Sequence, residues 1–499
     1  MILETFLKNK YNLPENNTHI TLIDFIIIKL DFPKYQYNLK KLKNLNYIEQ
    51  KIVNIETDNK RYFIHLLSQT HISNYIYDLK QILNSIISDN IIDLNKILLD
   101  RIYLNISVIK NLDKIIIDIF ETLLNKKYPQ SDEYNLILFY NKNLIKKFIN
   151  SLNIIKPKID NNIINEIYDA LIDTSNKLII YLKELIIKIE DSNKFGLSNF
   201  KPDLYIFYLK YYLGLDIKNM DEINYIYKWS YEYLKYNLKK SDKIKKLINL
   251  LDNNFKSKDE MINLYQEKLD DMYNIIIQHN IPNTTKCILK EYSDKNGTGA
   301  QYYNNCFYLN TYNWKNSNKF EIRSLVMHEA YPGHHMHLDI LNNFNRYKYL
   351  FTIYLDLTTS FSEGWGLFAE KIHSLNNKFD DFGQYNMDRL RILRIIADFD
   401  LHLFNRSPEY VINKLSKYLS NDINTISTEV YRYLVLPGQA VSYKIGETVF
   451  MSIYKKYGKK YGKKIDSKYM YDIYINILSK SIPLLDVLLD EYNLKFFNL

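Results

Sequence analysis

Four of the ten histidines lie between His328 and His337, in the run His-Glu-Ala-Tyr-Pro-Gly-His-His-Met-His. Imidazole and carboxylate are ligands that zinc prefers, and helix-borne zinc sites use two histidines one turn apart with a glutamate after the first. Here Glu329 follows His328, but Pro332 stands where the second histidine would be. Two geometries restore a pair. On an unbroken helix His328 and His335, seven residues apart, are related by about 700° and share a face. Alternatively, Pro332 clashes with the carbonyl of His328 and distorts the helix, and a two-residue bulge at Tyr331 and Pro332 brings His334 to the ligand position. His334 is the preferred second ligand and His335 the alternative. A His-rich surface turn is the plainer reading; the adjacent Glu329 and the apolar run leading in weigh against it.

A catalytic zinc needs a third protein ligand and a position left for water. Downstream, Ser360-Phe-Ser-Glu363-Gly-Trp-Gly366 places Glu363 at the head of an apolar helix through Leu367, Phe368 and Ala369. Ser360-x-x-Glu363 is also a capping box, so the local sequence divides evenly between capping and ligation.

The segment His328 to His335 followed by Glu363-Gly364-Trp365 resembles the mostly bacterial family called domain of unknown function 885, which is grouped with zincin-like metallopeptidases. Arg391, Arg394, Asp398 and His402 resemble that family's arginine helix, and Arg432-Tyr433 with Pro437-Gly438-Gln439-Ala440-x-x-Tyr443-Lys444-Ile445-Gly446 resemble its C-terminal signature. The resemblance implies one zinc per chain held by His328, His334 and Glu363, with Glu329 as general base. Two departures stand out: Phe399-Asp400 where the family has Thr-Gly, which would reshape a substrate wall, and Met336-His337 where it has Leu-Gln, which adds a histidine near the metal.

An oxyanion formed during amide hydrolysis needs a donor besides the metal. Tyr443 is the first choice, because a phenol donates without carrying charge. Arg432, Lys444 and Gln439 are candidate substrate-binding groups. With Arg391 and Arg394, the two cations would either hold a peptide carboxylate or pair with Asp398 and Asp400. Asp398 and His402 are candidates to orient a metal ligand from behind.

The elements around these residues are mostly helical. Gly and Pro together make up 22 of 499 residues, about a third of the usual share, which excludes collagen-like and turn-dense β architectures. Ile87, Ile91, Leu94, Leu98 and Ile102 mark a helix face, and Pro129 and Pro157 mark breaks. A second helical block runs from Asp203 to about Gln278, with a Ser257-x-x-Glu260 capping box and a face of Tyr265, Leu269, Met272 and Ile276; Pro282 closes it. Cys306 to Tyr312 is the best strand, able to serve as an edge for an extended peptide. Asn318-x-x-Glu321 resembles a helix start. The fold expected is mainly α, a large helical zincin-like architecture with a small β-sheet near the metal site. The N-terminal helical region is 1–195 and the helical catalytic region 196–499, expected as one continuous unit with the cleft between its two halves.

Two cysteines exclude a disulfide scaffold. The net charge of +9 is interspersed rather than gathered into a basic block, so nucleic acid is not an expected partner. No signal peptide is read at Met1 to Pro14, and apolar runs such as Ile20 to Leu30 and Ile106 to Leu124 are too short or polar to span a membrane. The expectation is a soluble intracellular zinc-dependent amide hydrolase acting on peptides. Its rivals are a hydrolase of acylated metabolites and a non-catalytic zinc scaffold, against which the intact Glu329 speaks.

Overall fold

A computed structural model describes residues 41–44, 50 and 202–499, except 249–252, 279–284, 294–298, 304, 313, 345–358, 373–376, 405, 420–422, 462–474, 481–483 and 499. From 202 onward these belong to one compact unit, Lys201–Leu499. The helix face of Ile87 to Ile102, the breaks at Pro129 and Pro157, the apolar runs Ile20 to Leu30 and Ile106 to Leu124, Pro282 and the cleft against the N-terminal half lie outside the described residues.

The described part is mainly helical with one small sheet. It opens with α1 (Pro202–Leu213), α2 (Met220–Lys245) and α3 (Lys258–Gln278). The side chain of Asn219 accepts from the N–H groups of Asp221 and Glu222 and caps α2. On α3 the Ser257 hydroxyl accepts from Glu260 N–H at 3.0 Å, while the Glu260 carboxylate reaches back to Lys256 N–H at 2.5 Å. This is the expected capping box with its return bond one residue earlier. Met261, Tyr265, Leu269, Met272 and Ile276 form the buried face of α3, at the helical spacing an amphipathic helix requires.

Three strands follow: β1 (Ile288–Tyr292), β2 (Ala300–Tyr303) and β3 (Cys306–Asn310). Their order is β1-β3-β2, with β3 parallel to β1 and antiparallel to β2. Cys306 pairs with Ile288 on one side and Tyr303 on the other. The strand expected as an edge is therefore the central one. Its buried, aromatic character reflects two paired flanks, and the edge beside the site belongs to β2.

Asn318 does not start an α-helix. It leads into a 3₁₀ turn, Lys319–Glu321, before α4 (Ile322–Glu329), and its amide donates to Glu321 at 3.2 Å. Then come α5 (His334–Phe344), α6 (Thr359–Ile372), α7 (Lys378–His402), α8 (Pro408–Leu415), α9 (Ile423–Val435), α10 (Gln439–Tyr461) and α11 (Leu485–Glu491). The second half of α7 is buried nearly all round, from Ile392 to His402 with one half-buried residue, Arg394. Such a helix is the centre of a core.

The tightest helix pair is α6 against α10. A Cβ on Gly446 would stand 1.9 Å from the Ser360 carbonyl, and one on Gly364 2.5 Å from Gly446. The two backbones touch, which only glycine permits. This crossing sets Glu363 on α6 beside Tyr443 on α10.

Candidate metal centre

Neither helix geometry expected for the histidine run is realised. α4 ends at Glu329 and α5 begins at His334, with Ala330 to Gly333 as a break between them. Proline cannot donate to a helix, and its neighbour is disfavoured in helical conformation. The break is buried: the Tyr331 hydroxyl donates to Thr285 O at 2.8 Å, and the Trp365 indole donates to Pro332 O at 2.8 Å. His334 thus opens a new helix rather than continuing the old one.

His328, His334 and Glu363 each point one ligand atom to a common place, all within 4.8 Å of one another. Glu363 Oε2 lies 3.3 Å from His328 Nε2 and 3.6 Å from His334 Nε2. Ligands about 2.0–2.1 Å from one tetrahedral ion stand about 3.3 Å apart. Two imidazoles and a carboxylate at these separations therefore fit zinc in both spacing and chemistry. The two histidine rings are nearly perpendicular, 4.7 Å between centroids. Glu363 does not cap its helix, and the Ser360 hydroxyl donates instead to Tyr212 O at 2.7 Å.

Behind His328 stands Glu370, buried, with Oε1 2.9 Å from Nδ1. A carboxylate there accepts a hydrogen bond from Nδ1–H and leaves the Nε2 lone pair facing the cluster. The arginine Arg391 lies 3.5 Å from the same oxygen. Glu370 went unread in the sequence, although it follows Glu363 by two turns and so shares its helix face. Gly366 completes the pocket, since a Cβ there would stand 2.7 Å from the His328 ring. Replacing Glu370 by Gln should weaken zinc binding roughly 10–100-fold, read by competition with a chelating dye. An unchanged zinc Kd would leave Glu370 a packing role only.

Electrostatics follow from this geometry. Burial works to raise the Glu363 carboxyl, but hydrogen bonds from His328 and His334 outweigh it and hold it well below the usual carboxylate range. Burial lowers His328, yet its bonds to Glu363 and Glu370 prevail and push it up to about 10. Glu329 is half-buried, and its Oε2 accepts from Tyr302 N–H of β2 at 2.9 Å. Burial raises its carboxyl above the ordinary range, against the pull of His328 and His334.

The alternative ligand is engaged elsewhere. His335 is fully buried, its Nε2 donating to Thr285 O at 2.8 Å and its Nδ1 3.3 Å from the Tyr302 hydroxyl. His337, the added histidine, is buried against the rings of Phe361 and Trp365, and burial pushes it down to about 3.

Tyr443 is half-buried beside the cluster. Burial and then the charge of Glu363 raise its phenol, so it stays protonated as a donor. Gln439 Nε2 approaches its hydroxyl at 3.5 Å, and Arg394 lies over its ring, 4.5 Å from the centroid. Arg432 donates to Gln439 Oε1 at 2.7 Å and to Glu429 at 3.0 Å.

Five assignments change. Lys444 is not a substrate group: it is 1% exposed and bonded to Asp388 at 2.6 Å and to Glu447. Lys371 closes this buried box through Asp388 at 3.1 Å and Glu447 at 2.6 Å. Asp398 does not stand behind a metal ligand; it accepts from the Tyr205 hydroxyl and from Gly438 N–H at 3.0 Å, anchoring the start of α10. His402 donates to Tyr433 O at 2.9 Å. Nor does either aspartate form an ion pair with the arginines: Asp400 pairs with Lys414, and Asp398, though near enough to feel Arg432, is bonded to Tyr205 and Gly438. Phe399 is fully buried against Tyr205 and Tyr227, so it lines no substrate wall.

The family model for bacterial proteins of unknown function, DUF885, matches residues 146–471, well over half of the chain. The chain belongs to the DUF885 family. Among solved structures, the chain is similar to one described as a putative lipoprotein from Colwellia psychrerythraea, at 15% identity and TM-score 0.61, covering 95% of this chain and 91% of that one. It is also similar to one described as a putative lipoprotein of unknown function from Shewanella oneidensis, at 14% identity and TM-score 0.62, covering 98% and 96%. These likenesses show a shared fold. No curated protein matches the chain. Among the described residues no helix is long and apolar enough to cross a membrane.

Proposed function

We propose that this DUF885 protein is a zinc-dependent amide hydrolase of zincin-like design, acting on peptides. The observation that carries the reading is the pairing of a three-ligand cluster with a carboxylate, Glu329, that adjoins a ligand in sequence but is held apart from it by a backbone N–H. A purely structural zinc site takes four protein ligands and needs no base; three ligands leave a position open.

Zinc, when bound by His328, His334 and Glu363, supplies Lewis-acid activation of water and of the scissile carbonyl. The chain's own residues do the rest. Glu329 takes the proton of the attacking water, and a carboxyl raised above its ordinary range is better matched to that task near neutral pH. It can then pass the proton to the leaving amine. Tyr443 donates to the oxyanion from α10, with Gln439 and Arg394 fixing its position. Glu370 holds His328 in the tautomer that presents Nε2.

The test is hydrolysis of N-acetylated peptides by the purified protein, followed by release of free amine. The expected result is turnover that a chelator abolishes and added zinc restores. No amine released by zinc-loaded protein from a broad peptide mixture would overturn the reading.

A further inference from the structure

Among the basic groups that could meet a substrate, the buried ones are balanced: Lys444 and Lys371 share Asp388 and Glu447, and Arg391 faces Glu370. Arg394 and Arg432 differ. Among the described residues the only carboxylate in contact with either is Glu429, whose Oε2 receives both guanidiniums at 3.0 Å and the Tyr433 hydroxyl at 2.7 Å. Two cations on one carboxylate leave one positive charge over. Asp398 is near enough for its charge to be felt by Arg432, but it is bonded to Tyr205 and Gly438 instead.

That surplus lies next to the reaction centre. Arg432 connects through Gln439 to Tyr443, and Arg394 covers the Tyr443 ring. Tyr443 in turn feels the charge of Glu363. Arg432 is the more open of the two, with 28% of its side chain exposed against 12% for Arg394. A guanidinium that shares its one ion-paired carboxylate with a second arginine, at a partly open site, matches a substrate carboxylate in charge and in bidentate geometry.

We infer that Arg432, supported by Arg394, binds the free C-terminal carboxylate of the substrate, so that the protein removes residues from the C-terminal end of peptides. This deepens the proposed hydrolase and rests on it for the position of the scissile amide. Gln439 serves as a positioning residue, ordering the guanidinium and the Tyr443 phenol together.

Binding separates this inference from catalysis. The zinc-loaded Glu329→Gln protein is titrated calorimetrically with N-acetyl-tetraalanine as the free acid and as the C-terminal amide. The free acid should bind at least about tenfold more tightly, the scale of a charge-assisted contact. In an additional Arg432→Gln background that ratio should fall towards one through loss of free-acid affinity, with amide affinity nearly unchanged. A merely structural arginine would weaken both forms alike. Equal binding of both forms, binding of neither, or a ratio unaffected by Arg432→Gln overturns the inference. Failure of the hydrolase reading shows separately, as absent turnover in zinc-loaded wild-type protein.

Discussion

Glu329→Gln should lower kcat on any verified substrate by about 10²–10⁴-fold, the usual worth of general-base catalysis, with zinc content and Tm near wild type. The substitution preserves volume, and the amide oxygen of Gln can still accept the Tyr302 N–H that now meets Oε2 at 2.9 Å. No ligand is lost, because the cluster is His328, His334 and Glu363. Glu363→Gln should behave differently, losing zinc together with activity, since an amide is a poorer ligand than the carboxylate that faces both histidines. Steady-state kinetics and elemental analysis on the same preparations separate the two. Full activity in Glu329→Gln would refute the base assignment even with zinc in place. Loss of zinc equal to that in Glu363→Gln would mean the two carboxylates have exchanged roles.

The parts of the fold and site legible in the sequence were those set by local spacing. The buried face of α3 could be read because burial along one helix repeats with the helical period. The histidine pair was legible because His328 and His334 lie within one short run and Pro332 rules out the simple four-residue step; Glu363 was not, since Ser360-x-x-Glu363 reads equally well as a capping box. The form of the break was not legible: it depends on Tyr331 and Pro332 finding partners in Thr285 and Trp365, far away in sequence. Strand order is likewise a long-range property, so Cys306 to Asn310 showed its burial but not its place between two neighbours. The charged residues were the hardest. Tyr443 and Lys444 are adjacent and project about 100° apart on α10, so one faces the cluster while the other enters the core beside Asp388. The sequence shows both groups without showing which side is which. Glu370 was hidden for the same reason: a buried carboxylate behind a ligand differs from a surface one only in what packs over it.

The choice between the two adjacent histidines has an all-or-none consequence. His334→Ala removes one of three ligands, and two remaining groups should not retain stoichiometric zinc through dialysis. His335→Ala should keep the metal. Its cost is to stability, because a fully buried ring is removed and leaves a cavity, while Thr285 O keeps the Tyr331 hydroxyl as a donor. The decisive measurement is the zinc content of wild-type, His334→Ala and His335→Ala proteins by elemental analysis after zinc loading and exhaustive dialysis. About one zinc per chain in wild type and in His335→Ala, with almost none in His334→Ala, is the expected result. Wild-type protein without stoichiometric zinc, or zinc retained by His334→Ala and lost by His335→Ala, would contradict the metal centre proposed for this chain.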